Sequence, residues 1–307
     1  MIATNDRSLT EKILKLKEEK SIYIIAHYYQ QEDIQDIADF IGDSYAMAVA
    51  AQKSPQDTIL VAGVDFMAES AAILCPDKTV LTPEPKATCP MANSISVDEV
   101  LKFKEKYPNS IVMSYVNTPA EIKAVSDICC TSSNAATILK KLPDDAHIFF
   151  IPDQNLALNT ASNLSRNVNI YDSDCPVHAA LKKTDIEKLK EKYPDAKVLV
   201  HPECIPDVVK MADYVGSTSG IINYVNNCDQ DTFIIATESG VTYPIRQANP
   251  DKKLIMASEN MICPDMKSIT LQKIYDSLKN RETVIKVPEN IRLPAAQALE
   301  KMIAYTS

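Results

Sequence analysis

Three times along the chain the same series of landmarks returns at intervals of 86 to 88 residues, and this repetition limits the possible folds more than any other feature. Each copy opens on a hydroxyl followed three residues later by a glutamate: Ser8 and Glu11, Ser96 and Glu99, Thr184 and Glu187. That is the pattern of a capping box at a helix start. A lysine-rich turn and a short apolar strand follow, at residues 22–26, 111–114 and 198–200. Each strand runs into polar residues at its C-terminal end: His27 to Tyr29, Tyr115 to Asn117, His201 to Glu203. A helix and a second short strand then close on Ser44, Ser132 and Thr218. A third strand falls at 58–64, 147–151 and 233–236, and each copy ends on a Cys-Pro pair, at Cys89, Cys175 and Cys263.

Strands alternating with helices predict parallel sheets covered on both faces. Copies of this size are small domains, not solenoid turns. The fold class is therefore α/β, with three similar αβα domains around a pseudo-threefold axis. The boundaries are 1–89, 90–175 and 176–263. After Cys263 a fourth copy begins, with a helix over 268–279 and a strand over 283–287, and the chain ends in a helix near 294–305. The segment 264–307 is expected to pack back on the first domain. Ligands of open α/β sheets bind beyond the carboxyl ends of the strands. In these copies those ends carry the polar residues, so one site fed by all three domains is expected.

Composition excludes some functions. The net charge of −9 leaves no electrostatic footprint for nucleic acid. No apolar run approaches the ~20 residues of a membrane span, and residues 1–6 lack a signal-peptide pattern. A cytoplasmic protein is expected. Eight cysteines there point to metal or catalysis before disulfides. Cys89, Cys175 and Cys263 occupy matched positions. Cys75, Cys129 and Cys130 read as core, and Cys204 and Cys228 have no counterparts. Thiolates select iron–sulfur clusters, Zn or Cu(I). Zn sites and ferredoxin clusters use closely spaced cysteines, and these three have no neighbour at that spacing. Three thiolates on a four-iron cluster would leave one iron open to act as a Lewis acid. His178, three residues after Cys175, suits substrate as well as metal, and His147 reads as structural.

Residues i and i+2 of a strand share a face. His27 with Tyr29, Tyr115 with Asn117, and His201 with Glu203 would thus present paired groups fit for proton transfer. Ser44, Ser132 and Thr218, with Ser217 beside the last, precede apolar helices. A hydroxyl there commonly caps the helix. Helix N-termini also attract anions, so three of them around one cavity would suit a small substrate bearing carboxylates or phosphate.

The segments Ala26-His27-Tyr28-Tyr29-Gln30, Gly63-Val64-Asp65-Phe66-Met67-Ala68-Glu69, Cys129-Cys130-Thr131-Ser132-Ser133-Asn134-Ala135, Cys175-Pro176-Val177-His178, His201-Pro202-Glu203-Cys204 and Cys263-Pro264-Asp265-Met266-Lys267 together resemble the quinolinate synthase family, nearly end to end. The resemblance implies a [4Fe–4S] cluster held by Cys89, Cys175 and Cys263. It implies condensation of iminoaspartate with dihydroxyacetone phosphate to quinolinate, phosphate and water in NAD biosynthesis, with functional coupling to an aspartate-oxidising enzyme. Tyr29, Tyr115, His178, His201 and Glu203 would do the chemistry, while His27, Asn117, Ser44, Ser132, Ser217 and Thr218 would hold substrate. Two positions depart from the family. Tyr28 replaces its usual Asn, on the face opposite the site. Cys263 stands without the C-x-x-C-x-x-C run of some members. A radical iron–sulfur enzyme of the diphthamide-biosynthesis type and a cluster-free binder of small anions remain as alternative readings.

Overall fold

The computed structural model describes residues 4–306, so the opening residues of the stretch examined for a targeting signal lie outside it. Among the described residues, twelve strands form three parallel four-stranded sheets. The first contains β1 (Ile22–His27), β2 (Phe40–Gly42), β3 (Thr58–Ala62) and β4 (Thr79–Leu81). The second contains β5 (Ile111–Tyr115), β6 (Ile128–Cys130), β7 (Ile148–Ile151) and β8 (Asn169–Ile170). The third contains β9 (Lys197–Val200), β10 (Tyr214–Val215), β11 (Thr232–Ala236) and β12 (Lys253–Met256). All three share one order, second–first–third–fourth. The α/β expectation is met, with helices packed on both faces of each sheet.

The central strands are continuous apolar runs because both their faces are covered. Every residue of β3 and of β7 is buried. Among the described residues, no helix is long and apolar enough to cross a membrane.

One aspartate per copy fixes the pairing of the first two strands. Asp39 accepts the Ile24 N–H at 2.8 Å and donates its own N–H to the Ile24 carbonyl. Asp127 does the same with Val112, at 2.7 Å, and Asp213 with Val198, at 2.8 Å. A lysine neutralises each: Lys17, Lys104 and Lys197. The Asp repeated before each second strand therefore locks register, since a one-residue slip would break both hydrogen bonds.

Several local expectations shift. The capping box at Ser96 and Glu99 forms, but the first helix runs through Thr4–Glu19, so Ser8 is interior. The third-copy helix begins at Lys183, with the Asp185 carboxylate accepting the Lys182 N–H. Each sheet also has a fourth strand that the sequence reading missed. The strand expected at 283–287 meets the first sheet through a single antiparallel bridge, Val284 to Leu81.

The C-terminal segment divides its packing. The helix Leu271–Asn280 lies on the first helix and buries Leu271, Ile274 and Leu278 in the first core. The last helix, Glu289–Thr306, lies mainly on the helix Ala120–Val125 and on β6, and buries Ala295, Leu299 and Met302 with the second core. Removing most of the fully buried Leu299 side chain should expose how much this docking stabilises. Leu299→Ala is expected to lose about 2–5 kcal/mol in denaturant titration, and a loss below about 1 kcal/mol would show the last helix to be dispensable.

Candidate active site

The carboxyl ends of the three first strands open onto one cavity. It is lined by His27 and Tyr29 from the first unit, Tyr115 and Asn117 from the second, and His201 and Glu203 from the third. His178, Ser44, Ser132 and Thr218 line the same space, as do Cys89, Cys175 and Cys263. Ser217 does not face it, because its hydroxyl accepts the Gly220 N–H as the cap of the helix Thr218–Asn227. Asp43 likewise caps the helix Ser44–Lys53 through the Ala46 N–H. In both places the preceding residue takes the capping role, so Ser44 and Thr218 begin their helices with hydroxyls turned to the cavity. Asn134, not Ser132, is the cap before the helix Ala135–Lys141.

A chain of hydrogen bonds crosses the cavity and links all three units. The Tyr29 hydroxyl meets Thr237 Oγ1 at 2.9 Å, and Thr237 Oγ1 meets His178 Nε2 at 3.0 Å. His178 Nδ1 meets Glu203 Oε2 at 2.9 Å, and the Tyr115 hydroxyl donates to Glu203 Oε1 at 2.6 Å. Thr218 donates to the Tyr29 hydroxyl at 3.1 Å. Thr237 escaped the sequence reading: it follows the third strand of its copy, where the other two copies have Gly63 and Pro152 and offer no matching hydroxyl.

Charges in this cavity are set by burial and by each other. Burial would raise the Glu203 carboxyl, but His201, His178 and two hydrogen bonds hold it well below its ordinary range, so it is a carboxylate. Burial and then the Glu203 charge push the Tyr29 and Tyr115 hydroxyls well above 10, which keeps them protonated. Burial lowers His27 and His201 to about 3. Their Nδ1 atoms accept the N–H groups of Tyr29, at 3.1 Å, and Glu203, at 3.3 Å. The neutral rings therefore carry their protons on Nε2, aimed away from the backbone.

The three cysteines are free and half-buried. Each carbonyl accepts an N–H four residues on, from Asn93, Ala179 and Lys267, so each cysteine starts a short turn, with proline next. The N–H groups of Met91 and Ala92 point at the sulfur of Cys89, that of His178 at Cys175, and those of Asp265 and Met266 at Cys263. Such donors favour thiolates. Burial outweighs them in the protein alone, pushing Cys89 up to about 12 and the other two upward as well. Three soft donors gathered in one cavity, already offered amide hydrogen bonds but short of positive charge, fit a cationic thiophilic centre. Cys175, His178 and Glu203 also place ligand atoms within 4.8 Å of one another.

The remaining cysteines lie elsewhere. Cys129, Cys130 and Cys204 are fully buried in cores, and Cys75 ends the helix Asp65–Leu74. His147 is exposed and stacks on Tyr107 at 5.5 Å. Tyr28 packs into the third unit, away from the cavity.

The quinolinate synthetase A protein family model matches residues 11–304. Quinolinate synthase of Thermodesulfovibrio yellowstonii is 46% identical over 97% of this chain and 98% of its own length. Quinolinate synthase of Clostridium novyi is 48% identical over 96% and 98%, and that of Methanosarcina barkeri is 44% identical over 96% and 97%. These matches give no support to a diphthamide-type or cluster-free reading.

The neutral histidines carry a signature in pH. His27 and His201 bind protons near 6.5 when unfolded but only near 3 when folded. Between those values the unfolded state binds more protons, so stability falls as pH falls, by up to ~1.4 kcal/mol per pH unit for each ring. In denaturant titrations the midpoint of the metal-free protein should drop between pH 7 and pH 5, and His27→Asn should flatten the slope. A profile unchanged by that substitution would mean that His27 is not held neutral.

Proposed function

The chain belongs to the quinolinate synthase family and is an enzyme of NAD biosynthesis, and from that premise we propose that it condenses iminoaspartate with dihydroxyacetone phosphate to quinolinate, phosphate and water in the cavity between its three units. Cys89, Cys175 and Cys263 would hold the [4Fe–4S] cluster. Bound there, the cluster supplies a Lewis-acid iron that no cysteine occupies.

The observation that carries the reading is the unbroken hydrogen-bond chain from Tyr29 through Thr237, His178 and Glu203 to Tyr115. It joins two protonated phenols through a carboxylate and an imidazole. Glu203 is placed to receive a proton from a substrate carbon or nitrogen. His178 and Thr237 can pass one towards Tyr29, and Tyr115 can return one from the opposite side. Such positioned acid–base groups typically contribute 10²–10⁴-fold to rate. Glu203 accepts two strong hydrogen bonds, so its basicity is restrained until substrate displaces one of them.

Substrate recognition falls to the neutral donors and the helix starts. The Oδ1 atom of Asn117 is buried without a hydrogen-bond partner, which suits a substrate N–H or O–H. His27 and His201 can each donate from Nε2 to a carboxylate, and His201 Nε2 already lies 3.2 Å from Ser132 Oγ. Ser44, Ser132 and Thr218 would hold carboxylate or phosphate oxygens beside helix N-termini. No lysine or arginine lines the cavity among the described residues, so anion binding would rest on amides, hydroxyls and imidazoles. The division into units ending near Cys89, Cys175 and Cys263 belongs to the same proposal. An imine hydrolyses readily in water, which favours direct supply by an aspartate-oxidising enzyme, and a reducing cytoplasm suits the thiols.

Iron and sulfide analysis after anaerobic purification tests the ligand set. Cys89→Ser, Cys175→Ser and Cys263→Ser should each lose most of the iron and all turnover, and full iron in any of the three would remove that residue from the set. Glu203→Gln should keep its iron and lose about 10²–10⁴-fold in turnover. Normal turnover in that variant would refute the proton-transfer role.

A further inference from the structure

Each cysteine-bearing segment is tied to the carboxyl end of the third strand in its own unit, and the tie is built alike three times. Two residues before each cysteine, a carbonyl accepts an N–H from that strand end. The Asp65 N–H donates to Ala87 at 2.9 Å, Gln154 to Ser173 at 2.7 Å, and Ser239 to Met261 at 2.9 Å. An acidic side chain belongs to the donor in the first unit, Asp65, and to the residue just before it in the other two, Asp153 and Glu238. These fall 88 and 85 residues apart, within a few residues of the register of the cysteines themselves.

Each acid divides its two oxygens between the same two kinds of partner, and Glu238 is also paired with the Lys267 ammonium, at 3.0 Å. One accepts a local N–H at 2.7 Å, from Phe66, Leu156 and Gly240 respectively. The other reaches the cysteine segment. Asp153 Oδ2 accepts the Cys175 N–H at 3.3 Å, and Glu238 Oε1 accepts the Cys263 N–H at 3.2 Å. Asp65 Oδ2 accepts the hydroxyl of Thr88, the residue before Cys89, at 2.5 Å. Asp153 and Glu238 are fully buried. A buried acid serving two donors on different segments is expensive to keep unless both contacts are made.

We propose that Asp65, Asp153 and Glu238 are positioning residues that hold the three thiols in a fixed triangle, so that the metal centre meets a preformed site. The inference rests on Cys89, Cys175 and Cys263 being the ligands. It extends that reading to acidic residues whose hydrogen bonds run to the cysteine segments and not to the sulfur atoms, although Glu238 also borders the cavity. Outer contacts of this kind commonly alter metal affinity 10–100-fold when removed.

An amide cannot copy the division, because it has a single oxygen. In Asp153→Asn the oxygen can keep the Leu156 N–H, but the NH₂ group then faces the Cys175 N–H. Glu238→Gln meets the same conflict at Cys263. At the first unit the partner is a hydroxyl, which can turn round and accept, so Asp65→Asn should be the mildest of the three. The anaerobically purified holoprotein would be challenged with an iron chelator, and bleaching of the cluster absorbance followed. Asp153→Asn and Glu238→Gln should bleach at least ~10-fold faster than the parent, with Asp65→Asn between them and the parent. In the metal-free protein, Cys175 of Asp153→Asn should react with iodoacetamide at an altered rate while far-UV circular dichroism is unchanged. Parent-like bleaching in both buried variants overturns the proposal. If Asp153→Asn does not fold, Glu238→Gln decides, and if neither folds, Thr88→Val in the less buried first segment decides by the same rate. Cys175→Ser separates the two levels. Full iron in that variant defeats the ligand reading itself, whereas iron loss there together with parent-like carboxylate variants defeats only the positioning role.

Discussion

Three thiols gathered in one cavity cannot all ionise without a compensating cation. Burial, and after it neighbouring negative charges, drive Cys89 up to about 12, and the other two move the same way. Backbone amides aimed at the sulfurs pull in the opposite direction but do not prevail. The cavity is therefore built for a charge that the polypeptide itself does not carry, and much of the architecture serves to bring distant parts of the chain to that point. Parallel sheets are suited to the purpose because all their carboxyl ends face one way. Repeating the unit three times supplies three such ends, and each unit contributes one cavity-lining thiol and one pair of polar strand-end groups.

The same convergence explains the electrostatics around the cavity. A single carboxylate, Glu203, sits between a phenol of the second unit and an imidazole of the third. Burial and then its charge raise both tyrosines, while the hydrogen bonds it accepts from Tyr115 and His178 favour its ionised form. Burial leaves His27 and His201 uncharged. The hydrogen-bond chain thus places protonated phenols on either side of an anionic Glu203, beside neutral His27 and His201 rings, and no lysine or arginine lines the cavity among the described residues. Because its members come from all three units, the hydrogen-bond chain exists only while the units stay closely joined.

Much of this was legible in the sequence because the repeat kept its register. His27, Tyr115 and His201 fall at matched strand ends, and the structure sets them around one cavity with the three cysteines. What escaped was too short or too ordinary to stand out. Among the missed fourth strands, β8 is two residues long and β4 three, less than any periodic pattern can mark. Ser8 and Thr184 fit the capping pattern, yet their helices start upstream, where other contacts decide the boundary. Thr237, Asp153 and Glu238 look like common polar residues after a strand. Only carrying the repeat interval forward from Asp65 would have singled out the two acids, and no motif marks a hydroxyl such as Thr237.

Gly240 shows how little tolerance the joint between the first and third units has. A Cβ at that position would lie 2.5 Å from the Tyr28 carbonyl oxygen and 2.8 Å from the Tyr29 Cα, both rigid main chain. Even alanine would act as a wedge, prising Tyr29 from Thr237 and opening the hydrogen-bond chain at its first link. Most surface loops can drift freely over evolutionary time, but this one is pinned by the thickness of a single methyl group. A residue with no side chain, taking no part in the chemistry, thereby sets how closely the reacting groups can approach.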